Sequence, residues 1–363
     1  MAIASPRSNL LLSSIMLKRF KQVALQSLKS TGVSTLVHNS RWRRQRLLIL
    51  AYHGVSLDDE HLWNGAEFIS AETFRSRLQS LKRSGCAVLP LEEGINRLYR
   101  NDLPDRSVAI TFDDGTVDFG QRAFPLLQEF GFPVTLYLTT FYSQYQKPVF
   151  DLMCSYLLWK GRNTSLDLKR FTGHDGKRDL RSFSSQEAVL RGMRTFAREQ
   201  DMSAGEKEAL DVSLAAALNV DYQALLEKRI IHNLSPAEVT QLAAEGVDVQ
   251  LHTHRHRTPK DRQLFLREIE DNRKSIQDMT GTVASHFCYP SGQYDLTFLP
   301  WLRDAGVVSA TTCDLGLASP ASNPLLLPRL IDVSALSAIE FEGWLTGVSV
   351  ALPRRRDAGK RVA

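Results

Sequence analysis

The chain has 363 residues, 43% hydrophobic and 23% charged, which allows a sizeable core and excludes a largely disordered polypeptide. Its net charge of +5 is unevenly spread: residues 1–57 hold nine Lys/Arg and no acid, and the tail PRRRDAGKRVA adds five more bases. The body between them is acidic, which argues against a nucleic-acid-binding domain, and four cysteines without CxxC spacing argue against a disulfide framework and read as buried thiols.

Residues 1–46 read as a basic helical segment. Leu17, Phe20, Ala24 and Leu28 share one face, with Lys18, Lys21 and Lys29 among the polar positions. Such a helix either packs on the domain or makes a peripheral contact with an anionic membrane surface. The apolar run Leu10 to Leu17 is broken by two serines and ends at Lys18-Arg19, unlike a secretory signal. No segment approaches the ~20 apolar residues of a membrane span. The expected location is cytoplasmic, or peripheral at the inner membrane face.

From residue 47 strand and helix patterns alternate. LLILAYH (47–53) reads as a buried strand and SAETFRSRLQSLKRSG (70–85) as a helix capped by Ser70 and stopped by Gly85. CAVLPL reads as a short strand, LEEGINRLYR as a helix, SVAITF (107–112) as a strand, FGQRAFPLLQEFG as a helix and FPVTLYLTT (132–140) as a strand. Residues 141–234 break the rhythm with three helical patterns and no alternating strand, predicting one helical insertion without a core of its own. The rhythm resumes with the capping-box helix from Ser235, strand VDVQLH (247–252), a long helix, strand ASHFCYP, a helix, strand VVSATT and strand LLLPRLIDV (325–333). A C-terminal helix and the basic tail occupy 336–363. Seven or eight strands alternating with helices predict a closed or nearly closed (β/α) barrel. No GxGxxG or Walker loop supports nucleotide binding.

In such barrels chemistry sits at the C-terminal strand ends. Those ends carry His53, Asp113-Asp114, Thr139-Thr140, His252, Tyr289-Pro290, Thr311-Thr312 and Arg329. LHTHRHRTP (251–259) places three histidines within five residues. Residues four apart in a strand lie ~13 Å from each other, so the chain must turn after His252 for His256 to reach the same ion. His254 is the third candidate, and a solvated basic loop is the plain alternative. Two imidazoles and one carboxylate leave open positions on a metal. One aspartate of the pair then binds the ion, the other stays free to take a proton from water, and Gly115 allows close backbone approach.

TFDDG followed by HTHRH, CYPSG and the opening AYHGV resembles the polysaccharide deacetylase family, also called the NodB homology domain or carbohydrate esterase family four. The resemblance spans about 47–335 with 141–234 outside it. It implies a distorted (β/α) barrel and metal-dependent removal of N-acetyl groups from an amino sugar in a glycan or its precursor. Carried over by motif, Asp113 resembles the general base, and Asp114, His252 and His256 resemble the ligands of one divalent ion. Zn²⁺ is the first expectation, with Co²⁺, Ni²⁺ or Mn²⁺ as alternatives. Tyr289, Pro290, Ser291 and Gly292 resemble one wall of the substrate groove, and Thr140 is a further substrate-binding candidate at a strand end.

Three departures stand out. Cys288 occupies the position where many members carry an arginine, so Arg329 is the candidate to orient Asp113. Ser291 stands where an aromatic often follows the proline. No histidine follows His286, so the family's late Leu-His motif is missing: either His53 or His254 supplies the general acid, or the metal carries more of the leaving-group work and His53 is merely packed at a strand end. The other readings are the same chemistry on a formamide or imide, or an inactive glycan-associated protein on the same fold. The DFG at 118–120 and the sequons at Asn163 and Asn233 lack the context their motifs require.

Overall fold

Seven of the predicted strand segments close into one parallel barrel in the computed structural model, which describes residues 6–352. In chain order they are β1 (Leu48–Tyr52), β2 (Val108–Asp114), β3 (Thr135–Leu138), β4 (Asp248–Leu251), β5 (His286–Cys288), β6 (Ser309–Leu315) and β7 (Leu327–Ile331). Each pairs with the next, and β7 closes on β1. Most are near-continuous apolar runs buried on both faces, whereas β6, SATTCDL, is largely polar and exposed at its end. The register sets Asp113 opposite Tyr137 and Asp114 opposite Leu138 at the rim.

The helix signals hold where capping chemistry is explicit. Ser70 accepts from the Thr73 amide, and Ser235 and Glu238 form a reciprocal capping box. CAVLPL is not a strand. Below Thr111, where β3 begins, β2 has one free edge, and Val88 makes a single bridge there to Val108.

The N-terminal helix Pro6–Ser30 packs on the C-terminal helix Ala338–Thr346 through a face that overlaps the predicted one only in part: Leu17, Ala24 and Leu28 are half-buried, Phe20 is not. Lys18 donates to the Ala335 carbonyl, Gln22 to Ser337 and Glu340, Leu25 is buried, and Lys29 pairs with Glu342. Phe20 points outward at 62% exposure, together with Met16 and Val23. Polar side chains that reach the C-terminal helix outweigh the apolar stripe. The basic tail lies outside the described residues. Among the described residues no helix is long and apolar enough to cross a membrane.

The segment after β3 corrects the sequence reading in two ways. It contains an antiparallel hairpin, Ser165–Asp167 with Lys177–Asp179. It also has its own core, including Met153, Tyr156, Leu157, Met193, Leu214 and Leu218, distinct from the barrel's. Its central helix, Phe150–Lys160, was missed because FDLMCSYLLWK is apolar nearly all round and carries no amphipathic period. This unit docks on the loop after β1. Asp59 accepts from Tyr156 and Lys160, the Trp63 ring meets Tyr156 edge-on at 5.3 Å, and Lys228 pairs with Asp58. That loop lies on the strand-end face, so the unit stands beside the barrel mouth.

Inside this core Asp211 accepts a hydrogen bond from the Cys154 thiol at 3.0 Å. Burial pushes its carboxyl up to about 7. The unfolded chain releases this proton near pH 4, so between about pH 4 and 7 the folded state binds the extra proton and stability falls as pH rises. Asp211→Asn removes the buried charge. Its thermal midpoint should exceed the parent's by a few degrees at pH 8, with the gap closing toward pH 4. Calorimetry showing a pH-independent gap would contradict this origin.

Candidate active site

Asp113 and Asp114 end β2, and the backbone there departs from strand geometry. Asp114 has φ 72° and Gly115 φ 83°. This left-handed pair turns the two adjacent carboxylates to different surroundings. A Cβ on Gly115 would stand 2.3 Å from Leu138 Cδ1. Gly115→Ala should therefore destabilise the fold by about 2 kcal/mol or more, measured by denaturant titration, because it adds both strain and a clash.

Asp113 points into the barrel and is 2% exposed. Arg329 on β7 grips both of its oxygens, Nη1 to Oδ1 at 2.8 Å and Nη2 to Oδ2 at 2.7 Å. The other guanidinium bonds go to Thr312 O, Thr111 Oγ1 and Cys288 Sγ, so no donor nitrogen of this fully buried cation lacks a partner. Burial alone would raise the Asp113 carboxyl. The charge and hydrogen bonds of Arg329 outweigh it and hold the group at about 2. Cys288 thus leaves room for an arginine arriving from β7.

Asp114 faces the opposite way, toward the histidine loop. Its Oδ1 lies 3.2 Å from His252 Nε2 and 3.2 Å from His256 Nε2. The predicted turn after His252 is present: Thr253 has φ 61° and His256 φ 52°. Strained backbone of this kind persists only where surroundings over-determine it. Here the long helix Arg262–Thr280 does so. Asn272 receives the His252 amide, and Glu268 takes Arg255 N, Arg255 Nη1 and Arg257 Nε.

The hydrogen bonds also decide the tautomer. His252 Nδ1 lies 2.9 Å from the Cys288 carbonyl, which can only accept, so the ring donates there and Nε2 of the neutral ring carries a lone pair. With the ring neutral, as a metal ligand must be, that lone pair faces Asp114 Oδ1, which is shielded from solvent. Acceptors converging at 3.2 Å fit a shared cation. Donors ~2.0–2.1 Å from one ion at tetrahedral angles stand ~3.3 Å apart. Asp114, His252 and His256 form one such group. A second geometric group, Asp113, His252 and Cys288, fits poorly because Arg329 already occupies both acidic partners. Two imidazoles and a carboxylate suit Zn²⁺ and leave positions open.

His53 follows β1. Its Nε2 stands 3.9 Å from Asp113 Oδ2, and its Nδ1 lies 3.1 Å from Glu67 Oε2. His254 turns away from this cluster. Thr140 Oγ1 accepts from Asn272 Nδ2 and is hydrogen-bonded to His254 Nδ1 at 2.8 Å. Both residues are buried, so Thr140 braces the histidine loop instead of meeting substrate, and His254 is a brace, not a ligand. Tyr289 is also fully buried, its hydroxyl bonded to Leu325 O. Pro290 and Gly292 are buried under the same turn, which leaves Ser291, at φ 55°, as the exposed member of that run.

Sequence reading missed Glu67, Glu268 and Asn272. The last two carried a signal: polar residues four apart on a helix face otherwise made of Phe265, Ile269 and Ile276.

A family model described as polysaccharide deacetylase matches residues 100–192 and 214–310. A poly-beta-1,6-N-acetyl-D-glucosamine N-deacetylase from Staphylococcus epidermidis is 31% identical over 110 residues, 28% of this chain and 38% of that relative's length. Among solved structures, the Streptococcus pyogenes deacetylase PplD in complex with acetate aligns with TM-score 0.53 and 19% identity, over 81% of this chain and 96% of that one. IcaB from Ammonifex degensii aligns with TM-score 0.52 and 17% identity, over 83% and 97%. At these identities the structural likeness establishes the barrel fold.

Proposed function

The chain belongs to the polysaccharide deacetylase family, and on that premise we propose that it hydrolyses N-acetyl groups from an amino-sugar glycan. The carrying observation is the split aspartate pair: Asp113 clamped by Arg329, and Asp114 turned to His252 and His256. A divalent cation held by Asp114, His252 and His256 would polarise the amide carbonyl and acidify an attacking water. Asp113 takes the water's proton as the new C–O bond forms. Arg329 keeps its carboxylate ionised and aimed. His53, oriented by Glu67, protonates the nitrogen as the C–N bond breaks, releasing acetate and a free amine. His53 is the acid because, of the two candidate histidines, it alone faces Asp113. Ser291 borders the groove.

The name of the staphylococcal relative supports an N-acetylglucosamine polymer as the first substrate to try. Zn²⁺-, Co²⁺-, Ni²⁺- and Mn²⁺-loaded protein should be incubated with free, nucleotide-linked, lipid-linked and polymeric N-acetyl sugars, scoring acetate and new amine together. Equal amounts of both products support the reading. Turnover confined to formamides or imides, or none on any substrate, would refute it.

A further inference from the structure

We propose that the short helix Thr140–Tyr145 carries an aromatic wall, Tyr142 and Tyr145 mounted on Phe141, that stacks on a sugar ring neighbouring the one deacetylated. The inference rests on the glycan reading above and sharpens it by naming the side chains that meet a second sugar ring.

The helix starts directly at the end of β3, between the strands that carry the aspartate pair and His252. It is bolted to the histidine loop. The Phe141 amide donates to His254 O at 2.8 Å, and the Thr140 hydroxyl bonds the same residue's ring. These two contacts fix the helix relative to the loop that turns His252 toward His256. Phe141 packs edge-on against the His254 ring at 5.7 Å and under Arg255 at 5.5 Å. Around it stand Tyr142, perpendicular at 5.3 Å, and Tyr145 at 4.7 Å.

Tyr145 is 53% exposed, although its ring is held by Phe141 on a rigid support. Tyr142 is half-buried. Its ring is held perpendicular to Phe141 in the helix that leaves the end of β3. A pyranose presents a face of C–H groups rimmed by hydroxyls. Its complement is a pre-held aromatic face with a phenolic hydroxyl at its edge, which offers contact area at little conformational cost.

The test compares monomeric N-acetylglucosamine with its β-1,6-linked pentamer, following kcat and KM by amine release from the metal-loaded full chain. The parent should prefer the pentamer. Tyr145→Leu and Tyr142→Leu should each lower the pentamer-to-monomer ratio of kcat/KM by about tenfold, mainly through KM. Tyr145→Phe, which keeps the ring, should restore most of the preference, whereas a structural role would move kcat for both substrates together. An unchanged ratio, or a loss shared equally by both substrates, overturns the wall. If the parent releases amine from neither sugar nor any other N-acetyl glycan, the underlying glycan reading fails and takes the wall with it. If the parent turns over both sugars without preference, the reading survives and the wall alone is refuted.

Discussion

Asp113→Asn will lower turnover by about a thousandfold while the protein still binds one divalent ion per chain. The expectation follows from the two directions in which the adjacent aspartates point. Both oxygens of Asp113 are held by Arg329, and only Asp114 reaches His252 and His256. Asparagine keeps the shape but cannot accept the water's proton, and its amide group would face a guanidinium that can only donate. Stability should fall as well. The Asp113 carboxyl is depressed to about 2 in the fold, so its contribution is present above about pH 4 and lost as pH falls toward 2. The variant's deficit should therefore be full at neutral pH and shrink in acid. Metal content and kinetics measured on the same folded preparation check the assignment. Metal loss equal to that of a ligand variant would show that the pair has been split the wrong way.

His252→Ala should abolish both metal binding and activity. His252 is the most constrained of the three proposed ligands: its amide is held by Asn272, its Nδ1 by Cys288 O, and its ring is buried. Losing one of three protein ligands should weaken affinity by more than about 100-fold, beyond what loss of an outer hydrogen-bond partner costs. The parent should gain thermal stability on titration with Zn²⁺, because a ligand that binds only the folded state stabilises it by mass action. His252→Ala should show no such gain below millimolar Zn²⁺. Retained nanomolar binding in this variant would contradict the ligand set.

The barrel was legible because its strands are short apolar runs with polar residues at one end, and its helices carry explicit caps such as Ser70 and Ser235. The aspartate pair and the spaced histidines were legible for a similar reason: like charges and imidazoles at buried strand ends are costly unless a site employs them. Arg329 entered the sequence reading through the family resemblance, as a stand-in for the arginine missing at Cys288, and its guanidinium does hold both oxygens of Asp113.

Residues whose duty depends on the third dimension were less visible. Tyr289 and Thr140 stand at strand ends, yet their hydroxyls turn inward to Leu325 O and His254. Alternation along a strand says which residues share a face, not which polar atoms find partners beneath the rim. Glu67 reaches His53 from a loop with no periodicity to mark it. The segment after β3 hid its core because its central helix is apolar on nearly every side. The packed face of the N-terminal helix was misread in part because Gln22 and two lysines reach across to the C-terminal helix, while Phe20 does not.

The account stands most directly on where the metal binds. Anomalous diffraction at the zinc edge from crystals grown with one equivalent of Zn²⁺ measures it. The account predicts one peak within about 2.0–2.2 Å of Asp114 Oδ1, His252 Nε2 and His256 Nε2, with Asp113 still clamped by Arg329 outside the coordination sphere. A peak bound by Asp113 and Cys288, or one that leaves His256 outside the sphere, would contradict it.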